Sequence, residues 1–145
     1  MRNAPSLSLS SRMALALLAS ALVAGAGGAL AMETVRMLTG NDEVPAVKTS
    51  ATARNALVID TDLGVRGSIE VSGMDATAAH IHRGAQGTNG PPVITLVMSG
   101  PTTWSVPAGA KLSQADYDSY KAGGLYVNVH SAQHPAGEIR MQLAP

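Results

Sequence analysis

From Met32 onward, short runs of alternating or continuous apolar residues are separated by Gly, Pro, Asn and Asp, which is the punctuation of an all-β domain. Thr34 to Leu38 alternates and runs into the polar turn "TGNDEVPAV". Ser50 to Ile59 predicts a second strand, closed by the turn Asp60-Thr61-Asp62-Leu63-Gly64. Val65 to Val71 and Thr77 to His82 follow as strands, and "RGAQGTNGPP" is a glycine-rich loop. Val93 to Met98 is apolar almost throughout, the pattern of a strand near the centre of a sheet. The β rhythm breaks once, in "KLSQADYDSYKAGG". There Ser113 is a good N-cap, Asp116 stands three residues on, Leu112 is placed to staple onto Tyr117, and Gly123 and Gly124 end a short helix near residues 114–122. The last segment, "GLYVNVHSAQHPAGEIRMQL", reads as two strands joined by a Pro-Ala-Gly turn. There is no internal repeat and no sign of a second domain.

Alternation sorts these strands by face, because successive side chains point to opposite sides of a sheet. Leu125, Val127 and Val129 share the core face, and Tyr126, Asn128 and His130 share the other. In "TAAHIH", Ile81 and Ala79 point inward while His80 and His82 point outward with Ala78. Three histidines are thus expected on the outer surface of the sheet. The i, i+2 spacing lets the two imidazoles of His80 and His82 converge on one ion, and neutral imidazole suits copper, zinc and nickel. By itself a His-x-His pair on a strand is equally a pair of solvated polar positions. A site requires His130 on a neighbouring strand.

The N-terminus changes the picture of where such a domain works. Arg2 and Arg12 precede the uncharged run Met13 to Leu30, which ends in the small-x-small pattern Ala29-Leu30-Ala31. Residues 1–31 are read as a signal peptide and residues 32–145 as the domain, periplasmic or secreted after cleavage. A retained anchor is the alternative, weakened by Gly25, Gly27 and Gly28. The chain of 145 residues has ten basic and ten acidic side chains, and loss of the leader removes Arg2 and Arg12 and no acid, leaving eight against ten, a net charge of −2. That charge, without basic clusters, speaks against nucleic-acid or anionic-membrane binding. Cysteine and phenylalanine are both absent, so the core must be built from Val, Leu, Ile, Ala and Met without disulfides.

Other candidates are weaker. His134, in the hairpin loop, is either a fourth ligand or an exposed turn residue. Glu138 and Arg140 are expected to point outward side by side, either orienting the histidines from behind or forming a surface ion pair worth little. Asn128 is either a support for the histidines or a structural hydrogen-bonding residue. Gly84, Gly87 and Gly90 do not precede a helix and are read as a loop, not a phosphate cradle. Asp60 and Asp62 lack the rest of a calcium loop. Met74 and Met98 are read as core residues instead of soft copper ligands. No nucleophile motif or catalytic carboxylate pair is present.

Three stretches, "EVPAV", "TAAHIHRGAQGTNGPPVITL" and "GLYVNVHSAQHPAGEIRMQL", together resemble the CHRD domain, a module named after repeats in the animal protein chordin and found as single exported domains in bacteria. The resemblance spans Met37 to Leu143. Met141 departs from it, standing where the family usually has glycine, with the expectation of crowding in the last strand. The resemblance implies an immunoglobulin-like, Greek-key β-sandwich similar to copper/zinc superoxide dismutase. It also implies that His80, His82 and His130 correspond to copper ligands. No histidine lies between His82 and His130, so a bridging ligand and a zinc cluster have no counterpart, and the dismutase disulfide is missing. The functions that follow are an exported domain holding copper or zinc through His80, His82 and His130; a CHRD-type module acting by contact with an extracytoplasmic protein, as chordin does with bone morphogenetic proteins; and a dismutase-like enzyme, against which the missing ligands count.

Overall fold

The computed structural model of the chain describes residues 36–145. The leader expected over residues 1–31 and the beginning of the first predicted strand lie outside the described residues. The elements are β1 (Met37–Thr39), a 3-10 turn at Gly40–Asp42, β2 (Thr52–Asn55), β3 (Val58–Ile59), β4 (Val65–Arg66), β5 (Ser68–Ser72), β6 (Ala76–Arg83), β7 (Pro92–Thr95), β8 (Val97–Met98), β9 (Thr103–Ser105), α1 (Gln114–Lys121), β10 (Leu125–Ser131) and β11 (Ile139–Leu143). Nine strands form one antiparallel sheet in the order β7-β6-β10-β11-β1-β2-β5-β9-β8, and β3 pairs with β4 apart from it.

The sheet is nearly closed, because its two edges, β7 and β8, are consecutive in the chain with Leu96 between them. This corrects the reading of Val93–Met98 as one central strand. Leu96 is 2% exposed and plugs the core, whereas Val97 and Met98 emerge on the far edge at 48% and 59% exposure. Met98 is therefore not a core residue, while Met74 packs partly buried against the core as expected. The fold is the all-β sandwich that the pattern predicts, curled toward a barrel.

Two predicted strands are each broken in the middle. Asn55 Oδ1 accepts from the Leu57 amide, and Gly67 takes a φ of +101° against Ala56, so the 50–59 and 65–71 segments kink together and shed the β3–β4 hairpin. β9 carries Trp104, buried in the core, and sequence pattern did not find it.

Leu38, Ile69, Ile81, Leu125, Val127, Val129 and Ile139 are wholly buried in one cluster. Each such side chain contributes roughly 1.5–3 kcal/mol relative to exposure. Met141 lies opposite Val127 within this cluster, so the methionine fills core space and no crowding results. Helix α1 starts where predicted: Ser113 Oγ accepts from the Asp116 amide, and the Asp116 carboxylate takes bonds from Ser113 Oγ and from the Arg83 guanidinium. Among the described residues no helix is long and apolar enough to cross a membrane.

Candidate metal centre

β10 is buried along its whole length. Its apolar face, Leu125, Val127 and Val129, looks into the core, as alternation requires. The opposite face was expected to be solvated, and here the structure corrects the sequence. Tyr126 and Asn128 are 2% exposed, His82 and His130 8%, and Arg140 1%; His80 is half-buried. Two loops lie over this face. Residues 40–49 supply Glu43, whose Oε1 accepts from Asn128 Nδ2, and Thr49, whose hydroxyl donates to Glu138. Residues 84–91 supply Asn89, which donates to the Val44 carbonyl and so ties one loop to the other, while Arg140 donates to Asn89 Oδ1 and to the Ala85 carbonyl.

β6 and β10 are neighbours, with Asn128 opposite His80 and Tyr126 opposite His82. The condition that sequence order left open is thereby met: His130 stands beside the pair. Ring centroids are 4.8 Å apart for His80 and His130, 5.4 Å for His80 and His82, and 6.0 Å for His82 and His130. One ring nitrogen from each lies within 4.8 Å of the other two. Points so spaced fall within about 2.8 Å of a common centre, at most about 0.7–0.8 Å beyond a copper– or zinc–imidazole bond of about 2.0–2.1 Å. Small side-chain rotations close that gap.

The backbone settles how two of the rings are protonated. His82 Nδ1 is 2.8 Å from the Gly90 carbonyl, and His130 Nδ1 is 3.0 Å from the Pro135 carbonyl. A carbonyl only accepts, so each Nδ1 carries the proton and each Nε2 presents a lone pair. His80 Nδ1 is 2.9 Å from His130 Nε2 and, as the remaining donor, gives its N–H to it. His82 Nε2 is buried and has no hydrogen-bond partner, and the same is true of Asn128 Oδ1. Asn128 is close enough to favour charge on His82, but the two fall short of a hydrogen bond. A buried lone pair without a donor is costly in a structure where most such groups are paired, and an ion satisfies it.

Burial pushes the pKa of His80 down, and the adjacent His130 and His82 reinforce the shift. For His82, burial again dominates; the Gly90 carbonyl and Asn128 oppose it, His130 and Arg140 reinforce it, and the net direction is down. Both imidazoles are consequently neutral at pH 7, the form that binds metal. Behind His82 the rings continue as a stack. Tyr126 lies parallel to His82 at 4.9 Å with a 6° tilt, and the Arg140 guanidinium carbon is 3.4 Å over the Tyr126 ring.

Of the remaining predicted residues, His134 does not join the group. Its amide donates to Ser131 Oγ and its carbonyl accepts from Ser131 and Gly137, so it closes the hairpin turn with its backbone. Glu138 and Arg140 do not pair with each other, and neither is on the surface. The Glu138 carboxylate accepts from Ser131 and Thr49 and makes no hydrogen bond to a histidine. Arg140 acts on His82 through Tyr126 and at a distance. The residues that anchor the rings, Tyr126 and the carbonyls of Gly90 and Pro135, carried no role in the sequence reading; main-chain acceptors leave no side-chain signature. Glu43 was visible only as part of "EVPAV". Burial raises its pKa, against the opposing pull of Asn128 and Arg140.

A family model for the CHRD domain matches residues 35–143, nearly the whole of the described chain. No curated protein and no solved structure matches the chain significantly.

Proposed function

The chain belongs to the CHRD-domain family, and on that premise we propose that it is an exported binding domain that holds a copper or zinc ion between His80, His82 and His130. The observation that supports this most is the direction of the lone pairs: two backbone carbonyls fix the Nδ1–H tautomer of His82 and His130, leaving their Nε2 atoms as acceptors, and His80, whose N–H goes to His130 Nε2 in the metal-free protein, would join them as a ligand by carrying its proton on the other ring nitrogen. Hydrogen bonds of this kind orient imidazole ligands in metal sites generally. The ion would supply a positive centre for three neutral donors. The chain's own part is to hold the rings, keep them deprotonated at one nitrogen and shield them with the 40–49 and 84–91 loops.

Titrating the metal-free protein with Cu(II) and Zn(II), by calorimetry and elemental analysis, tests the reading. One equivalent held at micromolar affinity or tighter, and lost in His80→Ala and His130→Ala, is the expected result. A folded protein that takes up no stoichiometric metal overturns it.

A second reading, a module that acts by protein contact, draws on the exposed Val97 and Met98 at the β8 edge. A partner whose binding survives chelation and is abolished by Met98→Asp would favour it. A dismutase-like enzyme is not proposed, since no histidine lies between His82 and His130 to bridge to a second metal.

A further inference from the structure

We propose that Asn128 is the fourth donor of the metal centre, binding the ion through its amide oxygen. This rests on the proposal that the histidine triad holds metal, and concerns what completes its coordination.

Strand pairing puts Asn128 in the middle of the group. On β10 it stands opposite His80 and two residues before His130, so all three share one face with His82. The side chain is 2% exposed, and Oδ1 is buried without a hydrogen-bond partner. His82 Nε2 is in the same position, and among the described residues these two are the only buried side-chain polar atoms left so.

The amide is oriented from its other end. Nδ2 donates to Glu43 Oε1, and both atoms crowd the space that a side chain on Gly137 would take, so they lie together beneath the hairpin turn. Oδ1 is thereby turned away from Glu43. It favours positive charge on the His82 ring, as an oxygen does and an NH2 group does not, yet it makes no bond to that ring. The reverse orientation would give His82 Nε2 a donor but would set Oδ1 against the Glu43 carboxylate, acceptor against acceptor.

Two neighbouring acceptors need something positive between them. Ligand atoms about 2.0–2.1 Å from a tetrahedral ion stand about 3.3–3.4 Å from one another, so acceptors that are close but unbonded are spaced as ligands of one ion are. Three imidazoles leave one position of a tetrahedron open, and His134 is engaged by its backbone in the hairpin turn. The Glu43 carboxylate, bonded to Nδ2, polarises the amide toward Oδ1 and offsets part of the charge of an ion held there.

The zinc complex of the unaltered protein decides the matter, with Zn(II) as the probe and a crystal structure as the readout. The expected structure has Asn128 Oδ1 about 2.0–2.2 Å from the ion. Calorimetric titration should show Zn(II) affinity lowered at least about tenfold in Asn128→Leu, which has no donor, and retained in Asn128→Asp, which has one. A zinc ion on the three imidazoles with water in the fourth position, and Oδ1 beyond about 3 Å, overturns the inference while leaving metal binding intact. Unchanged affinity in a folded Asn128→Leu protein does the same. Absence of zinc uptake by the unaltered protein removes both readings. If Asn128→Leu does not fold, the structure of the complex still decides.

Discussion

His80 Nδ1 lies 2.9 Å from His130 Nε2, although the two residues are fifty positions apart in the chain. The bond exists because β6 and β10 are paired antiparallel, and because His130 Nδ1 is already committed to the Pro135 carbonyl. It makes a spectroscopic prediction. In the metal-free protein near neutral pH, long-range nitrogen–proton NMR should show the Nδ1–H tautomer for His82 and His130, against the Nε2–H form that free imidazole side chains prefer. Metal addition should then shift the Nε2 resonances of both. An Nε2–H tautomer at either ring would mean that the carbonyl anchors do not hold.

Gly137 should be the least replaceable residue of the C-terminal hairpin. Its φ is +132°, and a Cβ there would run into the Glu43 carboxylate and the Asn128 amide beneath the cover. Gly109 also has a positive φ, +77°, but nothing within 4 Å of an added Cβ. Gly109→Ala should cost about 1 kcal/mol through the backbone alone, and Gly137→Ala about 3 kcal/mol or more. In a domain of this size that difference corresponds to roughly 8–16 °C in Tm, readable by calorimetry. Equal melting temperatures would contradict the close packing of the cover on the sheet.

The alternation of residues 125–130 made the two faces of β10 legible, since period-two patterning depends only on local geometry. What covers the polar face was not legible. Thr49 reaches Glu138 across 89 positions and Asn89 reaches Val44 across 45, and no local pattern encodes such pairings. Polar residues at alternate positions look the same whether water or a hydrogen-bonded loop meets them. The misplacement of Val97 and Met98 has a related cause: a continuous apolar run signals burial, but here one run serves two sheet edges and a core plug. The His80–His82 pair was legible as residue types and spacing; the family resemblance joined His130 to it, and the pairing of β6 with β10 supplies the physical reason.

The N-terminus of α1 should weaken in acid. Burial works to raise the Asp116 pKa, but the bonds from Ser113 and Arg83 outweigh it and hold the carboxylate below its ordinary 3.8. A depressed folded-state pKa means that the contribution is fully present above the unfolded value and fades as pH falls through 3.8 toward the folded value. Urea midpoints measured from pH 6 to pH 3 should therefore fall less steeply for Asp116→Asn than for the unaltered protein. Ser113→Ala should cost about 1 kcal/mol at neutral pH through loss of the cap. An acid limb unchanged by Asp116→Asn would show that other carboxylates dominate.

Glu138 separates support of the fold from support of the metal. Its carboxylate is 4% exposed and spans Ser131 on its own hairpin and Thr49 on the cover, with no bond to an imidazole. Glu138→Ala strands two hydroxyls and opens a void, at a cost of about 2–3 kcal/mol. Because His130 is oriented from the Pro135 carbonyl, metal affinity measured below the melting range should stay within about threefold of the original. His82→Ala should do the reverse. It removes a ligand whose Nε2 has no other partner, so metal binding is lost while the apolar core beneath β6 is untouched. A loss of affinity of about 10–100-fold in Glu138→Ala, the range for residues that orient metal ligands, would place Glu138 behind the histidines after all.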